Sequence, residues 1–430
     1  MRTLSFAALL ILVAQALSPP WLWAEADGLI ASPETGWPQW RGPRRDGISP
    51  EKGLLQSWPA EGPKLLWKAG KLGRGWSCPI IHEGTIYITG DVEQDLVLFA
   101  LDLNGKPKWQ TTNGRSWTRS YPGARACGTI SEGVLYHMNA HGRVAAFDAG
   151  TGKERWSVNI LQRFGGKNIT WGISENLLVD GPRLIVTPAG STALMAALDK
   201  ASGKTVWTSE PIPGEKAAYS SPILFRYRGR RMLVNYTNPH AWGVDADTGK
   251  LQWKVPLKTR WGAAVSTPVY ADGTVFFVAP DGPGASKFRL IGDPPGSRVE
   301  LAWHSEVDTL TGCCLYLNGR LYANGCKTSK TLHGIDGKTG ETLFDMPRLK
   351  PRKPGHASNA TLWADGRIFG LFEGGQVVLL NPKSDGFELT GKLKLVDARR
   401  NDAWAHPVLL DGRLYLRYHN TLWCYDVGAQ

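Results

Sequence analysis

An eight-bladed β-propeller of four-stranded antiparallel blades is the all-β fold that this sequence predicts, and three observations predict it. A turn of the form Asp-x-x-Thr-Gly-Lys, followed by Trp, recurs at a spacing of roughly 43–51 residues, the mark of a repeat architecture. Ahead of each copy stand two short alternating apolar runs joined at a dipeptide ending in Gly, which is a β-hairpin signal. A lone Trp-bearing strand around Leu65–Ala69 precedes the first repeat, and the last repeat stops one strand short.

The turn itself explains why it recurs. In Ala146-Phe147-Asp148-Ala149-Gly150-Thr151-Gly152-Lys153-Glu154-Arg155-Trp156 an apolar strand ends at Phe147, and Asp148 can accept backbone amides of the turn. Gly152 tolerates positive φ, and Trp156 brings a large aromatic face to the next strand. Related turns follow Asp102, Asp199, Asp245 and Asp336. The hairpins turn at Glu83-Gly84, Glu132-Gly133, Asp180-Gly181, Arg228-Gly229, Asp272-Gly273, Asn318-Gly319, Asp365-Gly366 and Asp411-Gly412, which makes eight. Repeat five is degraded at Ile291-Gly292-Asp293, and repeat seven has Leu380-Asn381-Pro382 with no Trp after it. A ring closed by one N-terminal and three C-terminal strands removes exposed sheet edges and supplies the strand missing from repeat eight. The expected organisation is therefore a signal peptide over 1–26, an ordered arm over 27–63 and the propeller over 64–430.

Bulk composition fits this reading. The 430 residues include 50 Gly and 19 Trp, as many short strands and turns require. A formal charge of +12 without a run of five or six basic residues implies a basic surface, and no nucleic-acid partner is expected. Arg2, the apolar stretch Leu4 to Leu17 and the small-x-small site Ala24-Glu25-Ala26 read as a secretory signal. No later stretch is long enough for a membrane helix, so a monomer in the periplasm or outside the cell is expected.

The repeat resembles the PQQ-type (pyrroloquinoline quinone) propeller repeat, whose hallmark Ala-x-Asp-x-x-Thr-Gly-Lys-x-x-Trp is matched best from Asp148 to Trp156 and from Asp245 to Trp253. The resemblance covers about 64–427, and the arm Trp37-Pro38-Gln39-Trp40-Arg41-Gly42-Pro43 looks like that of exported PQQ-like proteins. It implies the fold. It does not choose between quinone-dependent alcohol dehydrogenases and cofactor-free BamB-type scaffolds, since fold and function separate.

In such a disc the Asp turns lie on one face, and the loops that lead into the inner strands lie on the other. Those loops carry the chemically varied residues, with Trp117, Arg125, Lys167, Asn168, Arg260 and Asp402 among them. The candidate ligand-binding residues are Arg74, Trp76, Arg119, Tyr121, Trp171, Glu175, Tyr219, Trp261, His356, Trp404 and His406. Aligning the units on the hairpin glycine places Cys78, Cys127, Glu175, Thr267, Cys313, Ala360 and His406 at equivalent positions. Glu175 is a candidate cation ligand that Asn176 and Asn139 would assist, or else one half of an ion pair. No Asp partner and no catalytic base accompany it, and calcium needs six to eight oxygens.

Cys313 and Cys314 are adjacent, as in the vicinal disulfide of some quinoprotein alcohol dehydrogenases, while a Cys313–Cys326 bridge competes with that pairing. Cys78 and Cys127, being repeat-equivalent, are expected to point in the same rotational sense as buried thiols and not at each other. No Gly-x-Ser-x-Gly, P-loop or His-Glu-x-x-His segment supports hydrolase or nucleotide chemistry. The expected function is non-catalytic binding of a protein, peptide or carbohydrate, without a cofactor. The alternative is a dehydrogenase of alcohols or sugars that uses pyrroloquinoline quinone and calcium.

Overall fold

The computed structural model describes residues 26–326, 331–346, 359–398 and 402–429. Eight antiparallel sheets follow one another around a central axis, over 80–115, 129–159, 178–208, 223–256, 269–305, 315–345, 359–394 and 408–426. Each has the simple order of strands one to four, and Lys64–Ala69 pairs with Thr421–Asp426 as the fourth strand of blade eight. Ring closure is as the sequence predicts. The signal segment falls outside the described residues except for Ala26.

The hairpin chemistry holds at seven of the eight turns, where both central residues have positive φ, as at Glu83 (45°) and Gly84 (69°). That is the geometry that matches strand twist. Blade three differs. Asp180 pairs with Arg183, so its turn is Gly181-Pro182 and not Asp180-Gly181. Proline cannot take positive φ, so the glycine moves to the first turn position.

The Asp turn locks neighbouring blades together. Oδ1 of Asp148 accepts the Thr151 amide at 3.0 Å and the Thr151 hydroxyl at 2.9 Å. The Trp of one blade then lies on the turn glycine of the next. A Cβ at Gly152 would sit 2.6 Å from the ring of Trp109, and one at Gly203 would sit 2.6 Å from Trp156. The N-terminal Trp67 does the same to Gly105 of blade one, and its indole N–H donates to Leu103 O at 2.8 Å. In blade seven, which lacks the Trp, the arm's Trp58 packs on Gly391 instead. Second strands such as Thr85–Val92 are buried almost throughout, because both sheet faces meet another blade, whereas outer strands such as Glu154–Asn159 are exposed or half-buried.

The arm is the part that the repeat pattern does not describe. It crosses the Asp-turn face and enters the channel. Gly28–Leu29 adds a fifth strand to blade four, Trp37 bridges Ile81 of blade one, and Ile48 bridges Trp363 of blade seven. The residues that lead into the inner strands leave channel-facing carbonyls without sheet partners, and two buried arginines of the arm supply donors. Arg45 donates to Pro222 O at 2.8 Å, Leu177 O at 3.0 Å and Asn176 O at 2.8 Å, while Arg41 reaches Cys314 O at 2.6 Å. The channel is plugged from below.

Candidate functional site

The plug turns the upper half of the channel into a blind funnel of about 490 Å³. Trp40 forms its floor. The Trp40 indole N–H donates to Thr267 Oγ1 at 2.8 Å, and its ring meets the His406 ring edge-on at 4.4 Å. The walls come from the loops that lead into the inner strands. On one side Trp76 and Trp404 lie 4.8 Å apart at 34°, with Tyr121 5.5 Å from Trp404. Both indoles are fixed, since Trp76 donates to Asp402 O and Trp404 to Glu373 Oε1, each at 2.9 Å. Arg125 ties this wall together, donating to Gly123 O and Tyr121 O while lying 5.4 Å from the rings of Trp76 and Trp117.

The opposite wall carries Trp171 and Tyr219, 5.9 Å apart, with the Trp171 amide donating to the Tyr219 oxygen at 3.2 Å. Burial pushes the Tyr219 hydroxyl up to about 12, so it stays protonated and able to donate. Trp261 stands at the rim, 57 % exposed, beneath the Arg260 guanidinium.

Six of the predicted residues therefore converge on one cavity: Trp76, Tyr121, Trp171, Tyr219, Trp261 and Trp404. Arg74 and Arg119 are exposed and do not line it, although Arg119 lies 5.9 Å from the Trp117 ring. His406 is buried beneath the floor, where its Nε2 meets Thr311 O at 3.0 Å. His356 lies outside the described residues. Sequence reasoning missed Trp40, Asp281 and Thr311 as lining residues. The Arg following Trp40 inside an aromatic-rich, period-free arm is the one signal that marks a packed plug.

Glu175 requires a correction. Because blade three turns at Gly181-Pro182, Asn176 occupies the position equivalent to Cys78 and Cys127, and a one-residue slip sends the neighbouring side chain to the other face. A belt of hydrogen bonds between blades marks the true register. The Cys78 amide donates to Cys127 Sγ at 3.0 Å, the Cys127 amide to Asn176 Oδ1 at 2.7 Å and the Asn176 amide to Ser221 Oγ at 3.0 Å. Glu175 is 1 % exposed behind the wall, and its two oxygens accept the Thr187 amide at 2.9 Å and the Thr187 hydroxyl at 3.1 Å. Burial pushes its carboxyl up to about 8, against the pull of Thr187 and Arg45. Asn139 is likewise spent, holding its own turn through the amides of His141 and Arg143.

The thiols also differ from expectation. Cys78 and Cys127 do face each other, with Sγ atoms 2.7 Å apart, because equivalent inner-strand positions converge toward the axis. Cys313, Cys314 and Cys326 are buried free thiols, so neither expected bridge is formed in the structure. Burial raises the Cys313 thiol, but the Arg41 guanidinium and the His406 imidazole outweigh it and hold the thiol down to about 6.

This lining does not fit a calcium–quinone centre. Asp281 is the one carboxylate residue among the described lining, and Glu175 is committed to Thr187. No group of three or more His, Cys, Asp or Glu among the described residues is placed to hold a metal ion. What the arrangement offers is flat apolar faces, a few hydrogen-bonding groups and one fixed cation, the chemistry of a binding pocket.

Comparisons with known proteins agree with the architecture. The curated relatives include the 1-butanol dehydrogenase (quinone) of Thauera butanivorans, 25 % identical over 159 residues that make up 33 % of this chain and 25 % of that protein. The serine/threonine-protein kinase AfsK of Streptomyces griseus is 28 % identical over 162 residues, 36 % of this chain and 18 % of that one. The matched part thus spans a quarter or less of either relative. Among solved structures, BamB from Moraxella catarrhalis superposes with a TM-score of 0.60 at 16 % identity, covering 85 % of this chain and 99 % of that one. Quinohemoprotein alcohol dehydrogenase from Comamonas testosteroni gives 0.58 at 14 % identity, covering 92 % and 81 %. Likeness at these identities concerns the fold alone. A family model described as outer membrane protein assembly factor BamB matches residues 48–170 and 111–290, more than half of the 430 residues, and the chain belongs to that family of PQQ-like repeat propellers.

Proposed function

We propose that this protein is an exported, non-catalytic binding propeller whose funnel receives a ligand with flat, ring-shaped apolar faces. One observation carries the reading: Trp40 of the arm closes the channel beneath six further aromatic rings, which makes a receptacle in place of a passage. Sugar rings present C–H faces that suit indole platforms, and polar residues such as Ser174 lie among the rings of the lining. Intrinsic fluorescence tests it directly, because five of the seven rings are tryptophans. Saturable change with carbohydrate ligands, weakened about tenfold or more in Trp171→Ala and Trp404→Ala, is expected. Unchanged binding in both variants would place the ligand elsewhere. Export is checked by the N-terminus of the secreted chain, expected at Asp27.

The second reading is a quinone-dependent dehydrogenase, favoured by the similarity to the 1-butanol dehydrogenase (quinone). Stoichiometric quinone absorbance and alcohol-dependent dye reduction after adding calcium and pyrroloquinoline quinone would replace the binding reading with this one.

A further inference from the structure

Past Tyr219 and Trp261 the funnel continues into a second depression of about 890 Å³ on the same face. The two cavities share those two rings, so one extended ligand can lie in both. Their chemistry is different. The funnel is aromatic, whereas the second depression is bordered by the exposed cations Lys167, Lys216 and Arg260. None of the three forms an ion pair among the described residues. Arg260 is held flat, 5.0 Å from the centre of the Trp261 ring, at the junction of the two cavities.

The one carboxylate in this second lining does not neutralise them. Glu215 is turned inward with 1 % of its side chain exposed. Its Oε1 accepts the Thr237 hydroxyl at 2.5 Å and the His240 amide at 3.2 Å, and its Oε2 lies 2.8 Å from His240 Nδ1. The depression therefore presents net positive charge to solvent, within a chain whose formal charge is already +12.

We propose that funnel and groove together bind one acidic polysaccharide, with sugar rings against the aromatic walls and carboxylate or sulfate substituents on Lys167, Lys216 and Arg260. This rests on the binding reading above and adds the charge of the ligand to it. An acidic peptide is the less suitable occupant, because extended peptides gain much of their affinity by adding a strand to an open sheet edge. Here the channel-side carbonyls of blades three, four and six are already taken by Arg45 and Arg41. The groove is walled by loops.

The experiment compares neutral polysaccharides with sulfated and carboxymethylated derivatives of the same backbones, by calorimetry at low and high salt. The charged forms should bind more tightly, with affinity falling as salt screens the contact. The triple variant Lys167→Gln/Lys216→Gln/Arg260→Gln should lose about tenfold toward the charged forms and markedly less toward the neutral ones. Trp404→Ala should weaken both. Equal affinity for charged and neutral forms, or an unaffected triple variant, overturns the groove while leaving the funnel reading intact. No binding to any member, or binding indifferent to Trp404→Ala and Trp171→Ala, overturns both. Polyaspartate or a single-stranded oligonucleotide binding as tightly, with the same loss in the triple variant, replaces the polysaccharide with that polymer.

Discussion

Replacing Arg45 by Ala tests whether the plug is held as described. Arg45 is 3 % exposed, and its guanidinium donates to three carbonyls just ahead of the inner strands, those of Pro222, Leu177 and Asn176, and to Gln39 Oε1 at 3.1 Å. Burial depresses its basicity to about 10, which still leaves it charged at neutral pH. Deleting the fork strands three buried acceptors, since Leu177 O keeps the Thr129 hydroxyl at 2.7 Å, and each is worth roughly 1–3 kcal/mol when left without a donor. Removing a buried cation returns part of its desolvation cost, and water can enter the space left behind. The expected net loss is about 3–5 kcal/mol, in line with other broken buried polar networks. Arg45→Lys should fall between, because one ammonium cannot reach three carbonyls that a planar fork reaches together. Urea unfolding followed by tryptophan fluorescence and by far-UV circular dichroism is the assay, and coincidence of the two transitions licenses a free energy. A change below about 1 kcal/mol in Arg45→Ala would refute the view that these bonds hold the arm in the channel.

Three other outcomes follow from the geometry. Gly152→Ala should destabilise by about 2–3 kcal/mol, combining left-handed strain with displacement of Trp109, whereas Gly84→Ala, with similar φ but open space around it, should cost only about 1–2 kcal/mol; equal losses would mean that the Trp-on-Gly contact contributes nothing. When the reduced, unfolded chain is refolded in a glutathione redox buffer, Cys78 and Cys127 should pair, their two thiols losing two protons while oxidised glutathione takes two electrons. Non-reducing peptide mapping that finds both free, or bonded elsewhere, would contradict the facing geometry. Glu175 binds its proton more tightly folded than unfolded, so its stabilising contribution is complete below about 4.5 and is lost as pH rises to about 8. At about 1.4 kcal/mol per tenfold change in proton affinity, the loss is at most about 5 kcal/mol. Cys313, held down to about 6 from 9.0, acts in the opposite direction above pH 6 but is common to wild type and Glu175→Gln. The stability difference between the two proteins should therefore decline across that window, and a flat difference would show that Glu175 is ionised throughout.

The ring was legible because each of its parts has a local cause. Positive φ at the hairpin glycines, an Asp that accepts its own turn and a Trp that lies on the next turn's glycine are all visible within a dozen residues, and they repeat. The aromatic walls were legible for a related reason. Trp76, Tyr121, Trp171, Tyr219, Trp261 and Trp404 sit where repeated units would otherwise agree. Arg74 and Arg119 occupy the same loops and point into solvent, which depends on loop conformation and not on position. Glu175 was misplaced by a single residue, although the signal was present: Pro182 excludes Asp180-Gly181 as a turn with two positive φ values.

The arm was not legible, and it decides what the molecule can do. Its contacts join residues far apart in the chain, Trp40 with Thr267 and Arg41 with Cys314, and no periodicity links them. Within the arm, hydrogen bonding to a carbonyl just ahead of an inner strand and aromatic packing on the floor come from consecutive residues, Arg41 and Trp40, so plugging the channel and shaping the site are one event. It follows that the eight repeats alone would enclose an open channel, with Thr267, Cys313 and His406 on its wall. The same ring becomes a pocket only when Trp40 is seated over them. Variation in the arm should therefore alter ligand selection more than variation in the Asp turns, which lie on the opposite face and act only through stability.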